Sequence, residues 1–209
     1  MLENGIAMIS PSHLVVTALA YLLGSIPFGL VLTRLSGLGD IREFGSGNVG
    51  ATNVLRTGSK KLALLTLLLD SGKGGFAVLL AYHVYPSSEN GFELSIFAGI
   101  AAVIGHNFPI WLRFQGGKGV ATTLGTLLAI AWPVGITTCI TWVIAAVIFR
   151  YSSLAGIISI VASPFYALYL DREEIFVLAS SLAILAIIRH HANIRKLITG
   201  NEKKIGAPN

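Results

Sequence analysis

Seven apolar stretches, set apart by short polar ones, dominate the chain at residues 12–35, 61–84, 93–112, 119–132, 134–149, 153–170 and 174–189. A helix crosses the hydrocarbon core of a bilayer in ~20 residues, and several of these runs approach that length. Within lipid every backbone N–H and C=O must be paired internally, which leaves helices or closed barrels. None of the runs alternates apolar and polar residues as a barrel strand does. The expected fold is all-α: a polytopic integral membrane helical bundle, forming a single domain over residues 1–209. The fourth and fifth runs are short and divided only by Trp132-Pro133. Seven spans are expected, or five if those two form one kinked or re-entrant unit.

Charged residues make up 12% of the 209, about half the share of a soluble domain. That excludes a soluble globular protein and a disordered chain. Cys139 is the single cysteine and lies in an apolar run, so no internal disulfide exists and a small core residue is expected there. The first run follows Glu3 with no lysine or arginine before it. A signal peptide has a positive start and a shorter apolar centre, so this run reads as a retained helix.

The net charge of +5 would suggest nucleic acid in a soluble protein; here the placement of the cations decides. Arg34, Arg42, Arg56, Lys60, Lys61, Arg113, Lys118, Arg150, Arg189, Arg195, Lys196, Lys203 and Lys204 all fall on one side when the runs are threaded alternately. Only Arg172 falls on the other, and Lys73 lies inside a run. By the positive-inside rule the amino terminus is outside and the carboxyl terminus cytoplasmic. The outer loops, near Ser87–Gly91 and Asp171–Glu174, are brief. The unusual residues therefore gather on the cytoplasmic side, in segments 36–60, 105–125 and 189–204.

In the first segment Gly45, Gly47 and Gly50 match G-x-G-x-x-G formally. No strand precedes them, so a dinucleotide fold is excluded. The local physics remains: close glycines let backbone N–H groups approach an anion, Ser46, Asn48, Thr52 and Asn53 add neutral donors, and Arg56 supplies a fork suited to phosphate. A polar surface loop with a helix cap at Ser46 or Asn48 reads equally well. The second segment carries Gly116-Gly117-Lys118-Gly119 just before the fourth run, with Thr122 following. A glycine turn and a lysine at a helix amino terminus make an anion site, or an ordinary tight turn. It is not a Walker A loop, since Leu112 stands where that motif needs glycine. Trp111 reads as an interfacial anchor, and His106 as a helix-end partner or a catalytic group. In the third segment His190 and Asn193, three apart, share a helical face and can hold a phosphate or a hydroxyl. A basic stripe drawn to anionic lipid is the plainer reading. No cluster with metal-ligand spacing accompanies the pair, so no metal or cofactor is expected.

Asp70 and Lys73 lie within the second run, Asp70 roughly 12 Å deep at 1.5 Å per residue. Groups at such depth pair with one another or serve a site, and both readings stand.

Residues 45–56 (Gly-Ser-Gly-Asn-Val-Gly-Ala-Thr-Asn-Val-Leu-Arg), 105–109 (Gly-His-Asn-Phe-Pro), 116–122 (Gly-Gly-Lys-Gly-Val-Ala-Thr) and 189–194 (Arg-His-His-Ala-Asn-Ile) closely resemble the bacterial membrane acyl-phosphate:glycerol-3-phosphate acyltransferases, the PlsY family. Order and spacing match through essentially the whole chain. The resemblance implies transfer of a fatty acyl group from acyl phosphate to the 1-hydroxyl of sn-glycerol 3-phosphate, giving lysophosphatidate and phosphate at the first committed step of bacterial phospholipid synthesis. It implies a location in the bacterial cytoplasmic membrane with the site facing the cytoplasm. Ser46, Arg56, Lys118 and His190 would be catalytic. Gly47, Asn48, Thr52, Asn53, His106, Gly116, Gly117, Gly119, Thr122 and Asn193 would bind substrate, and Glu202 would be structural. The partners would be acyl phosphate, sn-glycerol 3-phosphate and membrane lipid, without nucleic acid. No histidine has an aspartate five residues on, which disfavours the soluble-headed His-x4-Asp acyltransferases. The alternative is a transporter for an anionic solute, which would show internal repeats and midplane substrate residues. Here no repeat is visible, and only Asp70 and Lys73 lie deep.

Overall fold

The computed structural model describes residues 11–84 and 89–206, so the segment before Pro11 and part of the expected outer loop at Ser87–Gly91 lie outside the described residues. Every described element is helical. The first apolar run is two helices, α1 (Pro11–Gly24) and α2 (Phe28–Leu35), which together are long and apolar enough for the one span expected there. Pro27 has no N–H to continue the ladder and disfavours helical geometry before it, so the helix breaks at residues 25–27. A short α3 (Ala51–Leu55) follows the glycine loop at residues 45–50, and α4 (Lys60–Val84) is an unbroken helix. The third run forms α5 (Glu89–Asn107) and then breaks before Pro109 into a 3-10 turn at Ile110–Leu112. The fourth and fifth runs are separate helices, α6 (Val120–Ile130) and α7 (Trp132–Phe149), the second with Pro133 in its first turn, where a proline costs no hydrogen bond. Three more complete the chain: α8 (Ser152–Tyr169), α9 (Phe176–Arg189) and α10 (His191–Ile198).

Among the described residues five helical segments are long and apolar enough to cross a membrane, and a sixth if α9 and α10, bent by 60°, count together. Helix α6, with 11 residues, is ~16 Å long, about half the hydrocarbon thickness.

Small residues are prominent in the interior of the bundle: Ala20, Ala77, Ala81, Ala98, Ala101 and Ala102 are buried together with Leu94, while Ile160, Leu178 and Leu182 fill a second buried cluster. Large apolar side chains such as Leu68, Val147 and Phe165 are exposed. Lipid tails solvate leucine as well as a protein interior does, so helices associate where small residues allow close approach. Gly24 lies against the backbone of Ala102, and Gly125 against that of Ser71. Helix α4 thereby packs on α5 and α6, α1 on α5, and α8 on α7 and α9. Helices α4, α6, α7 and α8 all contribute to the wall of one cavity.

Candidate active site

The glycine loop is assembled around Asn53. Its side chain is buried, and its amide Nδ2 donates to the carbonyls of Ile41, Phe44 and Asn48 at 2.9, 3.0 and 2.8 Å. Its Oδ1 accepts from the Ser46 N–H at 3.0 Å and from Arg56 Nη1 at 3.3 Å. Gly45 has φ +55, and a Cβ there would fall 2.5 Å from Asn53 Oδ1 and 2.7 Å from Arg56 Cδ. Only glycine combines that backbone with that closeness. The loop's entry is pinned by Asp40, whose carboxylate accepts from the Arg42 N–H and side chain and from Arg34. The bonds from Arg42 hold this carboxyl well below the usual carboxylate range.

The three polar segments singled out in the sequence meet on a cavity of about 310 Å³. Ser46, Asn48, Thr52, Asn53 and Arg56 contribute from the first, His106, Lys118 and Gly119 from the second, and His190 and Asn193 from the third. Leu67, Ala121, Leu124, Trp142 and Val143 from α4, α6 and α7 form an apolar side of the same cavity. Gly119, with φ +79, caps α6 and turns the chain directly from Lys118 into the helix.

Within this wall the groups differ in what they have left to offer. His190 is 1% exposed, and its Nδ1 lies 2.7 Å from the Ala186 carbonyl. That bond places the proton on Nδ1 and leaves Nε2 for another partner. Thr52 and Ser152 hydroxyls share a hydrogen bond of 2.9 Å, tying the first loop to the start of α8. Glu202 Oε1 accepts from Ser153 Oγ and from Asn193 Nδ2, the latter at 2.7 Å. With the Ile205 N–H donating to the Arg150 carbonyl at 2.7 Å, this folds the carboxyl-terminal tail across the cavity. Lys118 is half-buried, and its pKa is pushed down to about 8. Burial is the main cause; Glu202 opposes it, while Lys196, Arg189 and Arg56 add to it. Asp70 and Lys73 form an ion pair of 2.8 Å, and Asp70 also reaches the cavity wall.

Gly47, Gly116, Gly117 and Thr122 are not on that wall. The N–H of Gly47 closes a turn onto the Phe44 carbonyl. Gly116 and Gly117 donate to the carbonyls of Asn107 and His106 at 3.2 and 3.0 Å. Those N–H groups, expected from the sequence to face an anion, are therefore committed within the protein. Thr122 faces α4, its carbonyl lying where a side chain on Gly74 would begin. Sequence reasoning also missed groups that the fold brings in. Ser152 and Ser153, a serine pair opening α8 beside Arg150, carried a helix-start signal that went unused. Cys139, read as a core residue, lines the apolar side, for which no sequence signal existed.

Comparison with known proteins follows the same outline. A family model described as glycerol-3-phosphate acyltransferase matches residues 14–200. A glycerol-3-phosphate acyltransferase of Rhodospirillum rubrum is 60% identical over 197 residues, covering 92% of this chain and 91% of the relative. One from Paramagnetospirillum magneticum is 60% identical over 186 residues, covering 89% and 90%. The crystal structure of PlsY (YgiH), an integral membrane glycerol 3-phosphate acyltransferase, in its glycerol 3-phosphate form superimposes with a TM-score of 0.85 at 38% identity, over 93% of this chain and 96% of that one. Its lysophosphatidic acid form gives a TM-score of 0.84 at 37% identity, with the same coverage. Matched in sequence along nearly its whole length and in backbone to a solved member, the chain belongs to the PlsY family of integral membrane glycerol-3-phosphate acyltransferases.

Proposed function

We propose that this protein transfers a fatty acyl group from acyl phosphate to the 1-hydroxyl of sn-glycerol 3-phosphate, releasing 1-acylglycerol 3-phosphate and inorganic phosphate. The observation that carries the reading is one cavity with two characters. Arg56, Lys118 and His190 stand on its polar side and Leu67, Ala121, Leu124 and Val143 on its apolar side, as a phosphate joined to an acyl chain requires. PlsY in its glycerol 3-phosphate and lysophosphatidic acid forms supports the acceptor and the product.

An acyl phosphate is a mixed anhydride and arrives activated. The acceptor hydroxyl oxygen attacks the carbonyl carbon, the bond from that carbon to the phosphate oxygen breaks, and the hydroxyl proton passes to the departing phosphate. Arg56 and Lys118 screen the two phosphates from each other and hold the reacting atoms together, with Nε2 of His190 contacting the hydroxyl or a phosphate. No acyl-enzyme is needed. Among the described residues Ser46 Oγ has no hydrogen bond to a histidine or a carboxylate, which supports this route over a serine nucleophile. The clustered cations support a site facing the cytoplasm of the bacterial inner membrane, with the amino terminus outside, the carboxyl terminus inside and seven crossings by one domain. The short α6 and the bent α9–α10 pair are then spans as well.

The test uses purified protein in detergent with sn-glycerol 3-phosphate and, separately, acyl phosphate, acyl-CoA or acyl carrier protein. Equal yields of lysophosphatidate and phosphate from acyl phosphate alone are expected. Product from acyl-CoA alone overturns the donor. A trapped acyl ester on Ser46 overturns the direct route. Bound glycerol phosphate with no product from any donor returns the transporter.

A further inference from the structure

Arg189 closes α9 at the edge of the site, yet it is not on the cavity wall and its charge is spent on backbone. Its Nη2 donates to the carbonyls of Gly116 and Gly117 at 3.0 and 2.9 Å, and its Nε to the Gly117 carbonyl at 3.1 Å. The guanidinium lies 4.8 Å from the centre of the Phe108 ring. The N–H groups of the same two glycines are held from the opposite side by the end of α5, so this short stretch is gripped along both edges. Behind it sits the His106 imidazole, in the space where a Gly117 side chain would begin. Its Nδ1 stands 3.6 Å from Asp70 Oδ1. That oxygen is 2.8 Å from Lys73 Nζ, which in turn donates at 2.8 Å to the Ile26 carbonyl, at the break between α1 and α2. A line of polar contacts thus runs from the broken first span through α4 and α5 to the glycine turn. The next residue along the chain is Lys118.

We propose that Arg189 is a positioning residue for Lys118: by fixing the Gly116 and Gly117 carbonyls, with His106 and Asp70 backing the turn, it sets how the Lys118 ammonium enters the cavity. This rests on the reading of Lys118 as a phosphate-binding cation given above. The reason is conformational. Two consecutive glycines are the freest backbone a chain can have, and a turn made of them holds no direction without external bonds. A planar guanidinium spans two successive carbonyls at once, whereas an ammonium on a flexible stem acts as a single point charge. The buried Asp70 and Lys73 pair gains a role in the same account, as the brace on which His106 rests.

The charge of Arg189 has a second effect. Lys118 is faced by Glu202 from the tail, Lys196 from α10, Arg56 from the end of α3, His190 from the α9–α10 junction and Arg189 itself. Losing the positive charge at 189 removes one repulsion and moves the titration of Lys118 to higher pH.

The test compares purified wild type, Arg189→Lys, Arg189→Gln, Lys118→Ala and the double variant Arg189→Gln/Lys118→Ala. Initial rates are taken against glycerol 3-phosphate from about pH 6 to 10 with the donor that wild type uses, normalised to folded protein. Arg189→Lys should lower kcat/KM about tenfold or more, the worth of a charge-assisted hydrogen bond, and leave the alkaline limb in place. Arg189→Gln should lower kcat/KM at least as far and move the limb upward. In the Lys118→Ala background Arg189→Gln should add almost nothing, because the two act through one group. If Arg189→Gln does not fold, the charge-retaining Arg189→Lys carries the comparison. Wild-type kcat/KM and an unmoved limb in the Arg189 variants, with Lys118→Ala inactive, would overturn the positioning role alone. Additive losses in the double variant would also overturn it. Wild-type rates in Lys118→Ala would overturn the phosphate reading together with it.

Discussion

Replacing Asn53 with alanine separates a residue that builds the site from one that touches the ligand. Its two amide hydrogens serve the carbonyls of Ile41, Phe44 and Asn48, and its oxygen accepts the Ser46 N–H and Arg56 Nη1. Asn53 is 1% exposed and Ile41 is fully buried, so the groups released in the variant do not all regain water. Each buried polar group left without a partner costs ~1–3 kcal/mol. Ser46 is exposed, so its N–H regains water and the Ile41 carbonyl is the group that suffers most; the folded loop loses ~1–3 kcal/mol. At 1.4 kcal/mol per factor of ten, residues 41–50 should then open about five to a hundred and forty times more often. Amide hydrogen exchange on protein in detergent reads this directly. Exchange should quicken across residues 41–50 by that factor and stay unchanged in α7 and α8, while kcat/KM falls. Unchanged exchange across 41–50 with a raised KM for glycerol 3-phosphate would refute the reasoning, and would make Asn53 a ligand contact whose bonds do not hold the loop.

Three further outcomes follow from the same geometry. A folded-state pKa of about 8 means that Lys118 loses its charge as pH rises through that value, so kcat/KM should fall about tenfold per pH unit above it; Lys118→Arg should abolish the limb, since arginine stays charged, and a limb that survives belongs to another group. Glu202→Gln keeps an acceptor for Asn193 and Ser153 but removes a charge that favours the Lys118 cation, so the limb should move to lower pH with the tail still protected from protease. Glu202→Ala should expose the tail to cleavage as well, and a tail equally protected in both variants would disprove the latch. Gly125→Ala places a methyl group against the Ser71 carbonyl of α4, an overpacking of ~2 kcal/mol that lowers Tm by about 6 °C; Gly72→Ala, which meets nothing within 4 Å, should not lower Tm and serves as the control.

The helices were legible because apolar helices of a membrane protein are coded by length and apolarity, two properties a sequence displays directly. Each of the seven runs is helical where expected, to within a few residues at most ends. The breaks were harder to see. Pro27 and Pro109 interrupt runs whose hydropathy continues on both sides, and apolarity carries no trace of a missing N–H. At the site, the residue types pointed to anion chemistry, and the fold brings most of them to one cavity. Their division of labour was hidden because it depends on contacts between distant segments. Nothing local distinguishes Asn53, which holds the loop, from Asn48 five residues earlier. Gly116 and Gly117 look like free N–H donors until the end of α5 is laid beside them. Arg189 looks like any cation at the end of an apolar run until its guanidinium is seen on two carbonyls 72 and 73 residues away.

That division of labour also sets the charge of the cavity. Asp70 is balanced by Lys73 beneath the wall, and Arg189 is occupied by backbone. Arg56, Lys118 and Lys203 remain on the wall, opposed by Glu202, whose partners Ser153 and Asn193 are neutral. The wall therefore carries a surplus of about two positive charges, and a phosphate monoester brings about −1.5 to −2. One phosphate neutralises the site; two leave it negative. On the proposed reaction the first phosphate to bind favours the charged form of Lys118, so the cation counted here persists to higher pH once that phosphate is in place. The second phosphate binds against repulsion, which positioning must overcome. After transfer, that same repulsion favours departure of the inorganic phosphate, the one product with no acyl chain to hold it against the apolar side.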